Sequence, residues 1–478
     1  MLFATVLGSG IAFLDGTVVN VALPSIGREF HVGLADLQWT VTGYTLTLSA
    51  LILLGGSLGD RYGRRRIFMI GLVWFTAASL LCGLAPSAPL LIAARGVQGV
   101  GGALLTPASL AIIEATFRQD DRGAAIGAWS GLGGIFGAIG PLLGGLLVGA
   151  VSWRLVFFIN VPLAAITVAV AARHVPESLQ PGQRGRLDVP GPVLVGLGLG
   201  GVTYGLIEAS SSGWTSPVIL TALGAGIAAL GLFLLNERRQ SDPLLPLDIF
   251  RIREFAGANA ATFAIYGALG AVIFLVVIQV QQVLHYSPLA AGAALLPMTL
   301  ILLALSSSSG RLASSIGPRI PMTVGPLIAG VGMALFTRVD AGATYVAAVL
   351  PAGIVFGLGM VITVPALTTT AMGAVGAERS GIASAINNDV ARAASLAAVA
   401  VVPVLAGIST SGTAISSAAF SSGFRTAMFI CAGLCAVGGV ISLLTIGGRR
   451  RPAVEPQRAF CCPITGPPQY EVASRRSA

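Results

Sequence analysis

The chain has 478 residues, of which 55% are hydrophobic and 10% are charged, and its mean hydropathy is +0.86. A chain with so few ionic groups cannot cover a water-facing surface, so a soluble globular protein is excluded. Five cysteines without a secretory spacing exclude a disulfide scaffold, and bulk disorder would need long polar stretches that this sequence lacks. What remains is a polytopic membrane protein. The net charge of +9 is scattered between apolar runs rather than gathered on one basic face, so we expect no nucleic-acid partner.

Fourteen apolar segments follow one another along the chain, and each is long enough to predict a transmembrane helix of about 20 residues. They lie at 3–23, 40–59, 67–86, 88–113, 123–149, 154–172, 191–209, 217–235, 256–284, 289–309, 320–337, 343–371, 380–408 and 424–446. The sequence therefore predicts an all-α membrane protein with fourteen spans.

The arginines test this count, because short cytoplasmic loops retain positive charge. Loops after even-numbered spans, together with the C-terminal tail, hold 22 of the 28 arginines, and loops after odd-numbered spans hold four. The alternation predicts a multi-pass protein of the cytoplasmic (inner) membrane with both termini in the cytoplasm.

A weak internal repeat divides the spans. Gly56, Leu58, Gly63 and Arg65 recur 254 positions later, and Gly99, Gly101 and Pro107 recur 258 positions later. Two ordered matches at nearly the same offset predict duplicated six-helix halves with spans seven and eight inserted between them. The predicted organisation is an N-terminal bundle at 1–173, linkers with the inserted pair at 174–255, a C-terminal bundle at 256–446 and a cytoplasmic tail at 447–478. Parallel repeats around a midplane site are a design of secondary transporters.

Four motifs stand in order along the first half: Leu14–Pro24 in span one, Gly56–Arg66 after span two, Arg95–Gly102 in span four and Gly137–Gly145 in span five. Together they resemble the signatures of the 14-span drug/proton antiporters of the major facilitator superfamily. The resemblance implies a major facilitator fold and a proton-coupled antiporter that exports amphipathic drugs or antibiotics by alternating access. The sequence departs from that pattern at His285, where a small residue is expected, and at Ser314, where the first half has an acid.

Asp15 lies about midway through span one, where an ionised carboxylate is costly unless it faces water or a partner. Low dielectric favours the neutral acid, so Asp15 is predicted to take a proton from outside and to release it when the cavity opens inward or a cationic substrate arrives. The alternative is a permanently paired aspartate that serves helix packing. The resemblance makes Arg95 the polar element that adjusts this acid, and its alternative role is that of a structural donor to carbonyl groups.

Polar side chains at membrane depth are predicted to border a substrate cavity: Asn20, Tyr44, Gln98, Gln279, Gln282, Asn387, Asn388, Asp389 and Arg392. Packing is the alternative role for Asn20. Asp389 and Arg392 stand three residues apart on a helix and could pair locally, so mutual neutralisation is the alternative to a role in transport.

Two segments are predicted to gate the cavity. Asp60, Arg61 and Arg65 follow span two, with Gly56 and Gly63 permitting close backbone approach. They suggest a cytoplasmic latch in which the carboxylate is held by an arginine or a helix N-terminus in one state and released in the other. By resemblance, this latch stabilises the outward-facing arrangement.

The second segment is span five, where Gly137, Gly140 and Gly144 surround Pro141. Small residues let helices pack closely and proline bends the span. This pattern predicts a tight interface between the halves that seals the inner side.

The expected partners are the lipid bilayer, protons and an amphipathic small molecule, with one chain acting as a monomer. No cofactor and no metal are expected, because the sequence has no Walker motif and no HExxH or comparable constellation. Proton-coupled nutrient uptake, export of one endogenous natural product or lipid, and a membrane-embedded enzyme are the alternatives. The run Gly196–Gly201 matches a dinucleotide fingerprint but lies inside an apolar span, which favours helix packing.

Overall fold

The computed structural model describes residues 1–178, 188–240, 243–376, 379–408 and 417–447. Within these ranges fourteen helices are long and apolar enough to cross a membrane, which confirms the predicted spans. We number them α1 to α14 in chain order. The predicted tail, from residue 448 onward, lies outside the described residues.

The fourteen helices have the following bounds: α1 Leu2–Phe30, α2 Leu34–Tyr62, α3 Arg64–Leu84, α4 Ala88–Thr116, α5 Gln119–Ala150, α6 Leu155–Phe158 and Asn160–His174, α7 Pro190–Ser212, α8 Pro217–Arg239, α9 Arg253–Gln282, α10 Pro288–Ala294 and Leu296–Ile316, α11 Arg319–Leu335, α12 Tyr345–Val349 and Leu350–Ala374, α13 Ser380–Leu405, and α14 Ser417–Thr445.

Two spans are interrupted near a proline. Pro162 cannot donate to the carbonyl of Phe158, and α6 breaks at Ile159. Pro297 likewise cannot donate to Ala293, and α10 breaks at Leu295.

Glycines that recur in the sequence pack in corresponding places in the two halves. A Cβ on Gly101 of α4 would lie 2.7 Å from Cα of Phe75 in α3, and one on Gly359 of α12 would collide with the backbone of Ala329 in α11. Ala329 stands 254 positions after Phe75. The contact between α3 and α4 is thus repeated by α11 and α12, which confirms the predicted duplication. The exact domain boundaries remain a prediction.

Turns recur in the same way. His31 and His285, 254 positions apart, both adopt a left-handed conformation with φ 54° where α1 and α9 end. Gly63 and Gly317 have φ values of 105° and 87° at the turns that precede α3 and α11. The departure at His285 therefore leaves the turn geometry unchanged.

The inserted helices α7 and α8 pack on each other through small residues, and α7 lies against α2 and α13. A Cβ on Gly201 would lie 3.0 Å from Cα of Gly226, so the two helices approach closely. The fingerprint-like glycines of α7 thus serve helix packing.

We call the end of the bundle where α1 begins and the turn at Gly63 lies the basic end, and the end with the turn at His31 the distal end. Near the distal end, Gln38 Nε2 of α2 donates to the carbonyl of Val399 in α13 at 2.6 Å. Gln281 Nε2 of α9 donates to the carbonyl of Val21 in α1 at 3.1 Å. These bonds hold the two halves together at the distal end.

Candidate functional site

The predicted proton-coupling residues form a buried ion pair in the first half. Asp15 Oδ2 lies 2.5 Å from Arg95 Nη1, and the side chains are 0% and 1% exposed. Removing both ions from water is costly, and only close pairing with further hydrogen bonds compensates for that cost. The structure therefore brings together the two residues that the sequence singled out.

Amides complete the surroundings of this carboxylate. Gln98 Nε2 and Asn160 Nδ2 both donate to Asp15 Oδ1, at 2.8 and 3.2 Å. Arg95 Nη1 donates to Gln98 Oε1 at 2.7 Å, and its Nε donates to the carbonyl of Thr40 at 3.1 Å. The charge is thus spread over side chains of α1, α4 and α6 and a carbonyl group of α2.

Sequence reasoning missed Asn160 as a partner of the acid. It stands in the apolar sixth span and is fully buried, and it also donates to Ser79 Oγ at 2.9 Å. An amide at that depth needs hydrogen-bond partners, so its position was the available signal. The fold was needed to show that α6 faces α1.

Tyr44 connects the ion pair with the space between the halves. The Arg95 guanidinium carbon lies 4.4 Å from the centroid of the Tyr44 ring, a cation–π contact. Tyr44 also lines the central cavity, and its hydroxyl has no hydrogen-bond partner among the described residues. A molecule in the cavity would touch the residue that packs on Arg95.

The central cavity, of about 350 Å³, lies between α1, α2, α9 and α13. Four predicted residues line it: Asn20, Tyr44, Asn388 and Arg392. Among the described residues that form its walls, Arg392 is the one charged side chain. The remaining walls are apolar or carry neutral hydroxyl and amide groups, as an amphipathic molecule requires.

Other predicted cavity residues lie elsewhere. Gln98 belongs to the ion-pair network behind Tyr44. Gln279 donates to the carbonyl of Val339 inside the second half, and Asn387 donates to Thr262 Oγ1 at 2.7 Å. Each of these amides donates to partners inside a six-helix half instead of facing the gap between the halves, and Gln279 Oε1 has no partner among the described residues.

Two more of the predicted cavity residues lie outside the central cavity. Gln282, the last residue of α9, is half-buried and is not part of the cavity wall. Asp389 faces a different pocket, beside the inserted pair. It does not form the predicted ion pair with Arg392, because the two side chains leave α13 on different faces.

The predicted latch at the basic end forms a local cluster. Arg64 pairs with Asp60 at 2.8 Å, and Arg65 Nη2 donates to the carbonyl of Ala172 in α6 at 2.7 Å. A Cβ on Gly63 would lie 2.7 Å from a carboxylate oxygen of Glu177, which sequence reasoning did not single out. The acid and the turn stay within the first half in this conformation.

Two other residues of the latch motif have their own neighbours. The Arg61 guanidinium carbon lies 5.7 Å from the centroid of the Tyr62 ring. A Cβ on Gly56 would make ordinary contact with Pro107 of α4.

The glycine-rich segment of α5 packs on α1. A Cβ on Gly140 would lie 3.1 Å from Thr17 Cβ, and one on Gly144 would lie 2.7 Å from Val18 Cγ2. Gly137 has open space beside it. These contacts explain the need for small residues at two of the three positions.

The same segment joins the halves, but at the distal end. A Cβ on Gly145 would lie 2.7 Å from Cα of Leu289 in α10, and one on Gly292 would lie 2.7 Å from the carbonyl carbon of Pro141. In this conformation the interface between the halves formed by α5 therefore lies at the distal end, and the seal of the inner side stays a prediction. Pro141 lies near the distal end of α5, so its contacts with α10 can close the distal end but not the basic end.

Comparisons with known proteins agree with this architecture. A family model described as Major Facilitator Superfamily matches residues 5–400. The multidrug resistance protein Stp of Mycobacterium tuberculosis is 37% identical over 80% of this chain and 71% of its own. The puromycin resistance protein pur8 of Streptomyces alboniger is 35% identical over 95% and 92% of the two chains. A solved peptide transporter, POT in complex with sulfate, has a TM-score of 0.65 at 16% identity, covering 92% of each chain.

Proposed function

Because the chain belongs to the major facilitator superfamily, we propose that this membrane transporter exports amphipathic drugs or antibiotics in exchange for protons by alternating access. The resistance proteins among its relatives support the direction of transport. The observation that carries proton coupling is the Asp15–Arg95 pair, buried one side chain behind the central cavity and joined to it by Tyr44.

The proposed orientation places both termini and the basic end in the cytoplasm. Asn388 is exposed within the cavity, and toward the basic end Ile382 of α13 is 44% exposed. With the distal end held closed by Gln38 and Gln281, this conformation corresponds to the inward-facing state. One chain, acting as a monomer, contains the whole pathway.

In this state Asp15 is ionised and held by Arg95. Opening of the distal end separates α1 from α9, which shifts α1 relative to α4 and weakens the ion pair. A proton from outside then binds Asp15 Oδ2, and Arg95 keeps its bonds to Gln98 and Thr40. Return to the inward-facing state restores the ion pair and expels the proton toward the cytoplasm.

The membrane potential supplies about 2.3 kcal/mol per charge for each 100 mV. A tenfold concentration ratio needs about 1.4 kcal/mol. One proton at about 120 mV, or at a lower potential with a pH gradient, therefore supports roughly hundredfold accumulation. No other energy source is required by this scheme.

Transport in inverted membrane vesicles tests the proposal. Asp15→Asn is expected to reduce pH-driven drug uptake to background, while exchange of labelled for unlabelled drug without a pH gradient continues. The exchange assay shows that the variant is folded and can still alternate. Uptake that remains driven by the pH gradient in Asp15→Asn would contradict the assignment.

A panel of chemically different drugs decides the breadth of the substrate range. Drug accumulation in a host that lacks its own pumps is expected to fall for several unrelated amphipathic compounds when this protein is expressed. Export of a single compound would favour the alternative, an exporter of one natural product or lipid.

A further inference from the structure

A second pocket lies beside the inserted helix pair. Its volume is about 200 Å³, and its walls come from α2, α7, α8, α13 and the connection before α9. Leu199 and Phe233 of the inserted pair and Phe250 of the connection give it an apolar, partly aromatic surface. The inserted helices therefore complete a cavity that the two six-helix halves alone would leave open.

Asp389 is the one charged side chain among the residues that line this pocket. Its Oδ1 atom is buried and has no hydrogen-bond partner within the part of the chain that the structure describes. An unpaired carboxylate among apolar side chains is unfavourable unless a cation or a donor approaches it. The hydroxyl of Ser49, on the opposite wall, is also without a partner there.

The central cavity has the opposite charge. Arg392 lies on α13 three residues after Asp389 and faces that cavity, while Asp389 faces the second pocket. One helix thus separates a cationic cavity from an acidic one. A lipophilic cation is repelled by Arg392 and attracted by Asp389, whereas neutral and anionic molecules suit the central cavity.

We propose that the pocket between the inserted pair and α2–α13 is a separate binding site for lipophilic organic cations, with Asp389 as their counter-ion and the aromatic walls as their apolar contact. The inference deepens the proposed export function by assigning cations a site of their own. Its meaning for transport rests on that function, but binding itself does not.

Equilibrium binding of labelled tetraphenylphosphonium to the purified full chain in detergent tests the charge. Asp389→Asn is expected to weaken binding at least tenfold, and Asp389→Glu to preserve most of it. Tetraphenylborate has the same shape and the opposite charge, and its binding is expected to be no weaker in Asp389→Asn than in the wild type. Equal loss for both ions, or no loss for the cation, overturns the proposal.

A matched pair of alanines tests the location. Ala393 lines the second pocket and Ala391 lines the central cavity, on the same helix. Ala393→Phe is expected to weaken tetraphenylphosphonium binding at least tenfold, and Ala391→Phe to leave it within about twofold. The reverse result would place the cation in the central cavity and overturn the proposal.

Because the assay needs no gradient, it separates this proposal from the export scheme. Loss of proton coupling in transport would leave the binding result unchanged. Intact transport together with cation binding that ignores Asp389 would contradict this inference alone.

Discussion

The two six-helix halves share their backbone packing and differ in their buried chemistry. Arg65 donates to a carbonyl group at the end of α6, and Arg319, 254 positions later, donates to the carbonyl of Leu443 at the end of α14. Cationic side chains are favourable at helix C-termini in both halves. The duplicated turns and helix contacts thus preserve one scaffold.

Among the described residues, the buried ion pair has no counterpart in the second half. The positions 258 residues after Arg95 and Gln98 hold Gly353 and Phe356, and the Phe356 ring packs edge-on against Phe336. The same scaffold therefore tolerates an apolar core where the first half carries a charged network. This difference indicates that the helix packing itself does not require a charged network at this place.

Breaking one side of the ion pair gives the largest expected effect on stability. Arg95→Met leaves Asp15 charged, buried and without its cation, at a cost of about 3–5 kcal/mol in the free energy of unfolding. Thermal unfolding of the purified protein in detergent, followed by tryptophan fluorescence, measures this loss.

Removing both charges provides the matched control. Asp15→Leu/Arg95→Met is expected to recover most of the lost stability, because no unpaired charge remains, and to stay inactive in pH-driven transport. A double variant as unstable as Arg95→Met would mean that the network is needed for folding. That result would contradict the inference drawn from the apolar core at the corresponding positions of the second half.

The helices of both halves could be predicted from the sequence because long apolar runs and the arginine alternation are local signals. The glycine offsets between the halves also predicted which positions correspond. The rotation of each helix about its own axis could not be predicted, because hydropathy does not report which side of a fully apolar helix meets which neighbour. The fold was needed to show which side chains face the cavity. Gln279 and Asn387 were misplaced for this reason.

The part of the site that could be predicted consists of charged residues at membrane depth, because a charge there needs a partner of opposite charge. Asp15 and Arg95 meet because each needs the other at that depth. Asn160 was not found, because a neutral amide has many possible partners. Asp389 was assigned to the central cavity because its position beside Arg392 does not reveal that the inserted pair forms a second wall.

The shared helix contacts predict equal sensitivity in the two halves. Gly101→Ala and Gly359→Ala each place a Cβ against the backbone of the neighbouring helix, and each is expected to lower the free energy of unfolding by about 1–3 kcal/mol. The shift in the thermal unfolding midpoint measures the effect.

Gly353→Ala is the control for both variants. Apart from its chain neighbours and the backbone of its own helix, no atom lies within 4 Å of its Cβ position, and alanine is the better helix former by about 0.5–1 kcal/mol. We expect an unchanged or slightly raised midpoint. Equal destabilisation by all three substitutions would show that close approach is not what these glycines provide.

The smallest expected effect concerns the basic end, where the halves use different acids. The first half pairs Asp60 with Arg64 within one turn, whereas the second half has Ser314 at the corresponding position. There, Asp248 of the connection after the inserted pair contacts Arg379, which precedes α13, at 2.5 Å. The inserted segment therefore supplies an acidic contact to the basic end of the second half.

This contact should make stability depend on pH. The hydrogen bond from the Arg379 guanidinium holds the pKa of the Asp248 carboxyl below its usual range. The carboxyl is thus easier to protonate in the unfolded chain, and the contribution of the pair is complete at neutral pH and is lost as the pH falls through the folded-state pKa. Asp248→Asn is expected to lower the unfolding midpoint slightly at neutral pH and low salt, and the difference from wild type should vanish once the pH has fallen below the folded-state pKa. Both side chains are 56% exposed, so salt should also reduce the difference.

A double variant tests whether the two side chains act as a pair. Arg379→Gln should give the same small loss of stability as Asp248→Asn, with no further loss when both substitutions are combined. Additive losses would show that the two side chains act separately and that the inserted segment does not stabilise the second half through this pair.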